Sequence, residues 1–288
     1  MILLDGKATA AAIRAEIKDR VQALEKTHGR TPGLAVILVG EDPASQVYVR
    51  MKEKGCAETG IRSLPHRPEA SISQDALMDL IRELNADDSV DGILLQLPLP
   101  KGLDSQACLN LIDPGKDVDG FHPINVGKLA LGLPGYRSCT PAGIIELLKR
   151  FDIKTSGKKA VVLGRSNIVG KPMALMLIEY GDQGNASTTI VHSRTPLEDQ
   201  KAFCQEADIV IAAVGQPLHV KGDWIKEGAV VVDVGIHRSD DGLVGDCDFA
   251  AMKDKCSAIT PVPGGVGPMT IAQLLLNTMQ AYEDHVGA

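Results

Sequence analysis

KKAVVLGRSNIVGKP, residues 158–172, is the stretch that decides the fold class of this chain. A short β-branched run leads to Gly164, and beyond Gly170 a helical pattern opens at Pro172. A buried parallel strand that delivers the chain to a helix N-terminus presents unpaired amides and the positive end of the helix dipole to an anion. Pro172 suits the first helical turn, where its missing N–H donor is not needed. The stretch predicts a phosphate-binding turn, although Ser166 stands where the dinucleotide pattern G-x-G-x-x-G has its second glycine.

The next predicted strand, Ser187–Val191, indicates which dinucleotide is bound. It runs into His192-Ser193-Arg194-Thr195. At this point of a dinucleotide fold an acidic residue accepts from a free 2′-hydroxyl, whereas arginine and hydroxyl groups accommodate a 2′-phosphate. Because no Asp or Glu is present there, the segment predicts NADP. An alternative interpretation is that Ser193 or Thr195 caps the next helix, with Glu198 nearby, and both interpretations can hold together.

Two more apolar runs follow in order, Asp208–Gly215 and Ala229–Gly235, and each ends in glycine. Continuous apolar runs are typical of strands buried on both faces of a parallel sheet. The second half of the chain is therefore predicted to be a Rossmann-like parallel-sheet domain.

The first half is predicted to be a different α/β unit, in which periodic helices alternate with short apolar strands. The predicted helices are Thr9–Leu24, Ala44–Thr59 and Ser73–Asn85, and the predicted strands are Leu34–Gly40, Ile61–Leu64 and Gly92–Leu97. A Gly/Pro-rich passage at 132–141 predicts the domain boundary, and an apolar helix, Met269–Val286, ends the chain. We expect an N-terminal catalytic domain over 1–138, an NADP-binding domain over 139–268, and a C-terminal helix, 269–288, that returns to pack on the first domain.

Composition favours an enzyme of a reducing compartment. The chain has 288 residues, a net charge of −7, and only one Trp, four Tyr and four Phe, which argues against a nucleic-acid surface. Neither a signal sequence nor a membrane-spanning run is predicted, so we expect a cytoplasmic protein. The six cysteines form no C-x-x-C pair and are predicted to be buried thiols, and the seven histidines show no ligand spacing, so no metal is expected.

Tyr48 and Lys52 lie four residues apart on one face of the second predicted helix. Tyr-x-x-x-Lys is also the catalytic pair of short-chain dehydrogenases, but those enzymes place the glycine turn upstream of the pair in the same domain. Here the pair comes first, in what is predicted to be another domain. The alternative is an ordinary solvated helix face.

Two further polar features stand at predicted strand ends and turns. Gln96 follows a strand beside two prolines, at the carboxyl edge where open α/β sheets bind ligands, although it could be an ordinary loop amide. The run Asp117-Val118-Asp119-Gly120 could be only an Asx turn that ends at glycine.

Taken together, these segments resemble the bifunctional methylenetetrahydrofolate dehydrogenase/methenyltetrahydrofolate cyclohydrolase family, from LDGK at the start to the final helix. The blocks that carry the resemblance are SQVYVRMKEK (45–54), GILLQLPLP (92–100), KDVDGFHPINVGKL (116–129), GRSNIVGKP (164–172), HSRT (192–195) and PVPGGVGPMT (261–270). Departures are small: Ser138, Cys247 and the extra length GDQGN at 181–185.

The resemblance implies a folate site in the first domain. Tyr48 would stack on the folate ring, Lys52 would be the central catalytic group, Gln96 would hold that lysine, and Asp119 would hydrogen-bond the pterin. The implied substrate-binding set is Ser45, Tyr48, Gln96, Leu97, Pro98, Asp119, Pro263, Gly264 and Gly265. The implied cofactor-binding set is Gly164, Arg165, Ser166, Gly170, Ser193, Arg194, Thr195, Gly235 and Ile236.

The implied function is a step of one-carbon metabolism: oxidation of 5,10-methylenetetrahydrofolate with NADP, then hydrolysis to 10-formyltetrahydrofolate, by a homodimer. Hydride transfer demands alignment, whereas hydrolysis demands proton transfer, which suits a buried lysine. Two alternatives remain open from the residues alone. One is another NADP oxidoreductase, such as a shikimate-type dehydrogenase, and the other is a non-catalytic NADP-binding or scaffold protein.

Overall fold

The computed structural model describes residues 1–240 and 242–287, and these divide into two compact units. The first unit comprises residues 11–128, 134–139 and the chain from Ile271 on. The second unit comprises residues 1–10, 129–133 and 140–270. The chain therefore enters and leaves the second unit more than once.

The strands are short, as expected for parallel sheets buried on both faces. In chain order they are β1 (Ile2–Leu3), β2 (Gly33–Ile37), β3 (Arg62–His66), β4 (Gly92–Leu95), β5 (Lys159–Leu163), β6 (Ser187–Val191), β7 (Ile209–Ala212), β8 (Val230–Asp233), β9 (His237–Ser239), β10 (Gly242–Val244) and β11 (Ala258–Ile259).

The helices lie between and after these strands. They are α1 (Gly6–His28), α2 (Pro43–Thr59), α3 (Gln74–Ala86), α4 (Ser105–Leu111), α5 (Pro123–Ala130), α6 (Cys139–Arg150), α7 (Gly170–Ile178), α8 (Leu197–Glu206), α9 (Phe249–Met252) and α10 (Val266–Val286), with a 3₁₀ turn at Gly222–Trp224. None of these helices combines the length and the apolar character needed to cross a membrane.

The sheet of the first unit has the strand order β3-β2-β4, and all its pairs are parallel. Every residue of β2 is buried. The chain leaves β2 through α2 to β3 on one side, and then returns through α3 to β4 on the other side. This reversal leaves a crevice between the carboxyl ends of β2 and β4, where open α/β sheets bind ligands.

Local signals explain where α2 begins and ends. Asp42 caps it, because its Oδ2 accepts from the Ser45 amide at 2.8 Å, and Pro43 occupies the first turn. Gly60 ends it in the left-handed region at φ 81°, which glycine adopts without penalty. The helix that carries Tyr48 and Lys52 is thus fixed at both ends.

The sheet of the second unit has the order β1-β11-β8-β7-β5-β6, and it is parallel throughout. Strands β7 and β8 are buried at every residue, as their apolar runs predict. The chain reverses between β5 and β7, so the switch point of this sheet lies at their carboxyl ends. Strand β1 pairs with β11 here, whereas the predicted boundaries assign it to a first domain of residues 1–138.

Helix α10 begins in the second unit and continues from Ile271 into the first. In the first unit the Asn277 amide nitrogen donates to the Val118 and Arg137 carbonyls at 2.8 and 3.0 Å. Gly55 of α2 allows Leu275 to approach, since a Cβ there would lie 3.1 Å from a Leu275 methyl group. The last helix is therefore part of the core of the first unit.

The alternative interpretation, in which Ser193 or Thr195 caps α8, is wrong. The residue that precedes this helix is Pro196, and no side chain caps it. Thr195 Oγ1 instead accepts from the His192 amide at 3.1 Å, which closes a turn between β6 and α8. The hydroxyl therefore shapes this turn and does not cap the helix.

Candidate functional site

Lys52 and Gln96 meet at the switch point of the first unit's sheet. Lys52 lies in α2, and Gln96 directly follows β4. The Lys52 ammonium donates to Gln96 Oε1 at 3.0 Å, and Gln96 Nε2 donates to the Leu97 carbonyl at 2.7 Å. Because the amide nitrogen is engaged by Leu97, the amide oxygen faces the lysine. Lys52 is half-buried and keeps further N–H donors for a ligand.

Asp119 is the acidic member of this cluster. A bridge between Ile93 and Asp117 lays the segment that carries it alongside β4. Burial raises the pKa of the Asp119 carboxyl, and the Lys52 ammonium and the Cys139 thiol partly offset that effect. A half-buried carboxyl beside a lysine can accept hydrogen bonds from a polar ligand.

Asp117 and Asp119 have different tasks. Asp117 Oδ1 accepts from the Phe121 amide at 3.1 Å, and its Oδ2 accepts from the His122 amide and from Asn125 Nδ2 at 2.8 and 2.9 Å. The Asp117 carboxylate therefore accepts from residues four to eight positions on, not from the second residue on as in an Asx turn, while Asp119 is left to the Lys52 cluster.

Four of the remaining substrate-binding candidates also lie in the first unit. Tyr48 precedes Lys52 by one helical turn and is 40% exposed, so its ring is free to contact a ligand. Ser45 is buried in the first turn of α2. Leu97 and Pro98 are joined by a cis peptide bond directly after Gln96.

Pro263, Gly264 and Gly265 belong to the second unit. The Lys7 amide donates to the Gly264 carbonyl at 2.8 Å, and a Cβ at Gly6 would lie 1.9 Å from the Gly265 carbonyl oxygen. Gly6 is thus required for the close packing of this segment on the PVPGG loop.

A cavity of about 220 Å³ lies at the carboxyl ends of β5, β6 and β7 in the second unit. It brings together Gly164, Arg165, Ser166 and Ser193 of the predicted cofactor set. None of its lining residues is acidic; the others are His192, Gln200, Ala213, Val214, Gln216 and His219. A pocket at a sheet's switch point, with an arginine and without carboxylates, suits an anionic nucleotide.

The two glycines of the phosphate-binding turn allow close packing. A Cβ at Gly164 would lie 2.2 Å from the Ala213 carbonyl oxygen, and one at Gly170 would lie 2.2 Å from the Gly164 carbonyl oxygen. Ser166, in place of the second glycine, accepts through Oγ from the amides of Val169 and Gly170 at 3.1 and 3.3 Å. Its hydroxyl therefore caps the start of α7.

The other predicted cofactor residues do not line this cavity. Arg194 is exposed beside it, and its amide donates to His192 Nδ1 at 3.2 Å. Gly170 begins α7, and the Thr195 hydroxyl closes the turn between β6 and α8. Gly235 and Ile236 follow β8, and Ile236 is 46% exposed. The cavity thus assembles part of the set, and the rest lies around it or along the sheet edge.

Sequence reasoning missed a carboxylate that shapes the cavity wall. Buried Asp246 accepts from the amides of Val214 and Gly215 through Oδ2, at 2.7 and 3.0 Å, and from Gln216 through Oδ1 at 3.0 Å. His237 Nε2 lies 2.7 Å from the same Oδ1. Consecutive amides that converge on an anion form a nest, here filled by a side chain of the protein. No local pattern at Asp246 could have indicated a partner thirty residues upstream.

Asp233 in turn holds the segment that carries Asp246. Its carboxylate accepts from the amides of Gly235, Asp246 and Cys247 at 2.8–2.9 Å. Burial, assisted by the charge of Asp246, raises the pKa of Asp233 to about 6, and the backbone hydrogen bonds oppose that rise.

All six cysteines are buried and unpaired, as predicted. Burial raises the pKa of Cys56 and Cys204 to about 12. Within residues 1–240 and 242–287 no group of His, Cys, Asp or Glu side chains has the arrangement of a metal site.

Models of two protein domains match most of the chain. The catalytic domain of tetrahydrofolate dehydrogenase/cyclohydrolase matches residues 4–119, and its NAD(P)-binding domain matches residues 138–286. A relative called bifunctional protein FolD, from Maridesulfovibrio salexigens, is 68% identical over the whole of both chains.

Solved structures agree with this match. The bifunctional FolD methylenetetrahydrofolate dehydrogenase/cyclohydrolase of Campylobacter jejuni is 50% identical over 99% of both chains, with a TM-score of 0.94. The Trypanosoma brucei FolD enzyme, solved with NADP and an inhibitor, is 40% identical over 100% of this chain and 99% of its own, with a TM-score of 0.93.

These matches confirm the predicted fold class, a two-domain α/β chain with a Rossmann-like nucleotide-binding sheet. They also confirm the predicted enzyme class, a bifunctional folate dehydrogenase and cyclohydrolase that uses a nicotinamide dinucleotide. The shikimate-type and non-catalytic alternatives are thereby excluded. The chain belongs to the tetrahydrofolate dehydrogenase/cyclohydrolase family.

Proposed function

We propose that the Lys52 cluster carries both reactions on one bound folate: oxidation of 5,10-methylenetetrahydrofolate, then hydrolysis of the methenyl product to 10-formyltetrahydrofolate. The single observation that supports this most is the Lys52–Gln96 hydrogen bond of 3.0 Å, with Asp119 beside it. This contact supports the proposal because a lysine, an amide and a carboxylate meet there at one sheet switch point.

Each residue has a separate task in this scheme. The exposed Tyr48 ring stacks on the folate, and Asp119 accepts from the pterin N–H groups. Gln96 holds the lysine amine in place through its oxygen. During hydrolysis, water forms a C–O bond to the methenyl carbon and Lys52 Nζ takes a proton from that water. Lys52 Nζ then gives this proton to the ring nitrogen as its bond to the one-carbon unit breaks, and the second water proton is released as the formyl C=O forms.

Oxidation asks less of these side chains. NADP, when bound, accepts the hydride. The positive charge left on the one-carbon bridge is shared by both flanking nitrogens, so the protein's contribution is alignment rather than proton transfer. For this step Tyr48, Gln96 and Asp119 act by holding the folate still.

We propose NADP rather than NAD as the cofactor. Arg165 and Ser193 line the cavity at the end of β6, and no carboxylate lines it. A relative that is 40% identical was solved with NADP. Ser166 and Gly170 would hold the pyrophosphate end, and Arg194 and Thr195 would border the ribose.

We also propose a cytoplasmic homodimer. Strand β6 is an edge of the six-stranded sheet, and it has neither a charged residue nor a proline to protect it. Exposed apolar side chains lie near it: Ile190 is 40% exposed, Ile178 is 52% exposed and Tyr180 is 98% exposed. A second copy of this chain would cover this edge, and the six free thiols fit a reducing compartment.

Replacement of Lys52 by methionine tests the assignment. Lys52→Met keeps the length of the side chain and removes the amine, so cyclohydrolase turnover should fall by about 10² to 10⁴, while dehydrogenase turnover survives in part. Methenyltetrahydrofolate is supplied directly in one assay, and methylenetetrahydrofolate with NADP in the other, both at saturation.

Lys54→Met is the matched control, because Lys54 is an exposed lysine of the same helix whose ammonium lies 3.8 Å from Glu58. It should leave both activities unchanged. Equal losses in both assays for Lys52→Met would reduce Lys52 to a folate-positioning residue, and an unchanged hydrolysis rate would remove it from the mechanism.

A further inference from the structure

His219 lines the proposed NADP cavity, and its hydrogen bonds leave one ring nitrogen for a ligand. The ring is half-buried and packs edge-on against Trp224, with centroids 5.4 Å apart. His219 Nε2 lies 3.1 Å from Gln200 Oε1. Nδ1 has no hydrogen-bond partner among the residues that the structure describes.

Gln200 decides which ring nitrogen of His219 carries a hydrogen. It is buried in α8, and its Nε2 donates to the Thr195 carbonyl at 2.8 Å and, more weakly, to the His192 carbonyl at 3.5 Å. Its Oε1 is then an acceptor, so His219 Nε2 must donate. Nδ1 therefore holds either a lone pair or, when the ring is protonated, a second N–H.

The other histidine of the cavity is held differently. His192 Nδ1 accepts from the Arg194 amide at 3.2 Å, so it cannot carry a hydrogen while that bond exists. Of the two histidines that line the cavity, only His219 can gain a proton without losing a contact.

The surrounding charges favour an anion beside His219. Arg165 lines the cavity and no carboxylate does. Among the elements that pack on the ring, Lys201 of α8 is paired with Asp223 of the 3₁₀ turn at 2.5 Å. The other acidic residues of α8 are exposed: Glu198, Asp199 and Glu206.

We propose that His219 is a specificity-determining contact for the 2′-phosphate of NADP, and that it takes up a proton at Nδ1 when the cofactor binds. The proposal rests on the proposed NADP site. Ser193 marks the ribose end of that site, since it follows β6, and His219 lines the same cavity. Gln200 acts as a positioning residue, because it fixes the ring tautomer.

Direct binding tests this without turnover. The Kd values of NADP and NAD are measured by calorimetry for wild type, His219→Gln and a control, His66→Gln, between pH 6 and 8.5. Loss of a charge-assisted hydrogen bond should weaken NADP binding to His219→Gln about tenfold near pH 6.5 and leave NAD binding unchanged. His66 lies in β3 of the first unit, so the control should match wild type.

The dependence of NADP affinity on pH distinguishes protonation of His219 from ionisation of the phosphate. The phosphate itself titrates near pH 6, and its dianion binds better, so that effect raises affinity as pH rises. Protonation of His219 has the opposite sign. Wild type should lose NADP affinity between pH 7 and 8.5 and take up protons on binding, as shown by heats in buffers of different ionisation enthalpy, whereas His219→Gln should do neither.

The outcomes are distinct. Equal weakening of NAD and NADP by His219→Gln would show that the ring only supports Gln200, and would overturn the proposal. Proton uptake unchanged by the substitution would overturn it too. If wild type binds neither dinucleotide in the micromolar to millimolar range, the proposed cofactor site itself fails.

Discussion

At the scale of single residues, the Gln96 side-chain amide of the first unit faces the candidate site, whereas the Asp246 carboxylate of the second unit is used up by backbone amides. In the first unit Gln96 is locked by the Leu97 carbonyl and so presents an acceptor to Lys52. In the second unit Asp246 fills a nest of backbone amides that would otherwise attract a ligand anion. Hydrogen bonds within the protein therefore hold Lys52 in the first unit and the cavity wall in the second unit without the help of a ligand.

Asp117 gives a prediction for the dependence of stability on pH. Burial raises the pKa of its carboxyl to about 6, although hydrogen bonds from Asn125, His122 and Phe121 lower it. Between the unfolded pKa near 4 and the folded value, the folded chain holds a proton that the unfolded chain has released. This group's contribution to stability therefore falls as pH rises through that window, by on the order of 2–3 kcal/mol.

The measurement is urea unfolding of wild type and Asp117→Asn at pH 4, 5, 6 and 7. Wild type should lose stability relative to the variant as pH rises from 4 to 6, and the difference should then stay constant. Asp254→Asn, at an exposed position, serves as the control. A difference that does not change with pH would show that Asp117 is ionised throughout.

At the scale of elements, the turn between α7 and β6 is more ordered than its composition indicates. The residues 181–185 read GDQGN, which predicts an exposed turn that could be shortened without effect. The buried Thr155 hydroxyl donates to the Gly184 carbonyl at 2.9 Å, and the Asn185 amide donates to the Glu179 carbonyl at 2.9 Å. The turn is therefore anchored to its own unit, and its removal would leave a buried hydroxyl without an acceptor.

Gly184→Ala tests this anchoring. A Cβ at Gly184 would lie 1.9 Å from the Glu179 carbonyl oxygen, so the backbone must shift. We expect a loss of roughly 1–3 kcal/mol in the free energy of unfolding. Asp182→Ala, at an exposed position of the same turn, should change it by less than about 0.5 kcal/mol. Equal stability of the two variants in urea would show that the turn yields freely.

Sequence patterns predicted helices and strands better than they predicted contacts between distant residues. The strands β5 to β8 were indicated because a buried parallel strand leaves a continuous apolar run. Helix α2 was predicted over Ala44–Thr59, close to its observed bounds, Pro43–Thr59. Spacing and position along the chain singled out Lys52, Gln96 and the run that contains Asp119, but their roles were assigned only through the resemblance. Asp246, Gln200 and His219 were missed, because each is defined by a contact between distant segments and leaves no local pattern.

At the scale of the whole molecule, the unprotected edge strand β6 predicts self-association. A lysine in an edge strand opposes pairing with another strand. Ile190→Lys combined with Tyr180→Lys should therefore convert the proposed homodimer to a monomer in sedimentation velocity runs. Leu243→Lys, at an exposed position in β10, is the control and should leave the association unchanged. A monomeric wild type at micromolar concentration would refute the homodimer.

The path of the chain between the two units affects how the protein can fold during its synthesis. The first ten residues belong to the second unit, and the chain from Ile271 on belongs to the first. A ribosome that has made residues 1–270 has thus released a first unit without the helix whose Asn277 and Tyr282 donate to the carbonyls of Val118 and Arg30. No single cut in the chain separates the two units, because their segments alternate along it. Folding of the first unit therefore requires the residues from Ile271 on, and folding of the second unit requires residues 1–10 as well as 140–270.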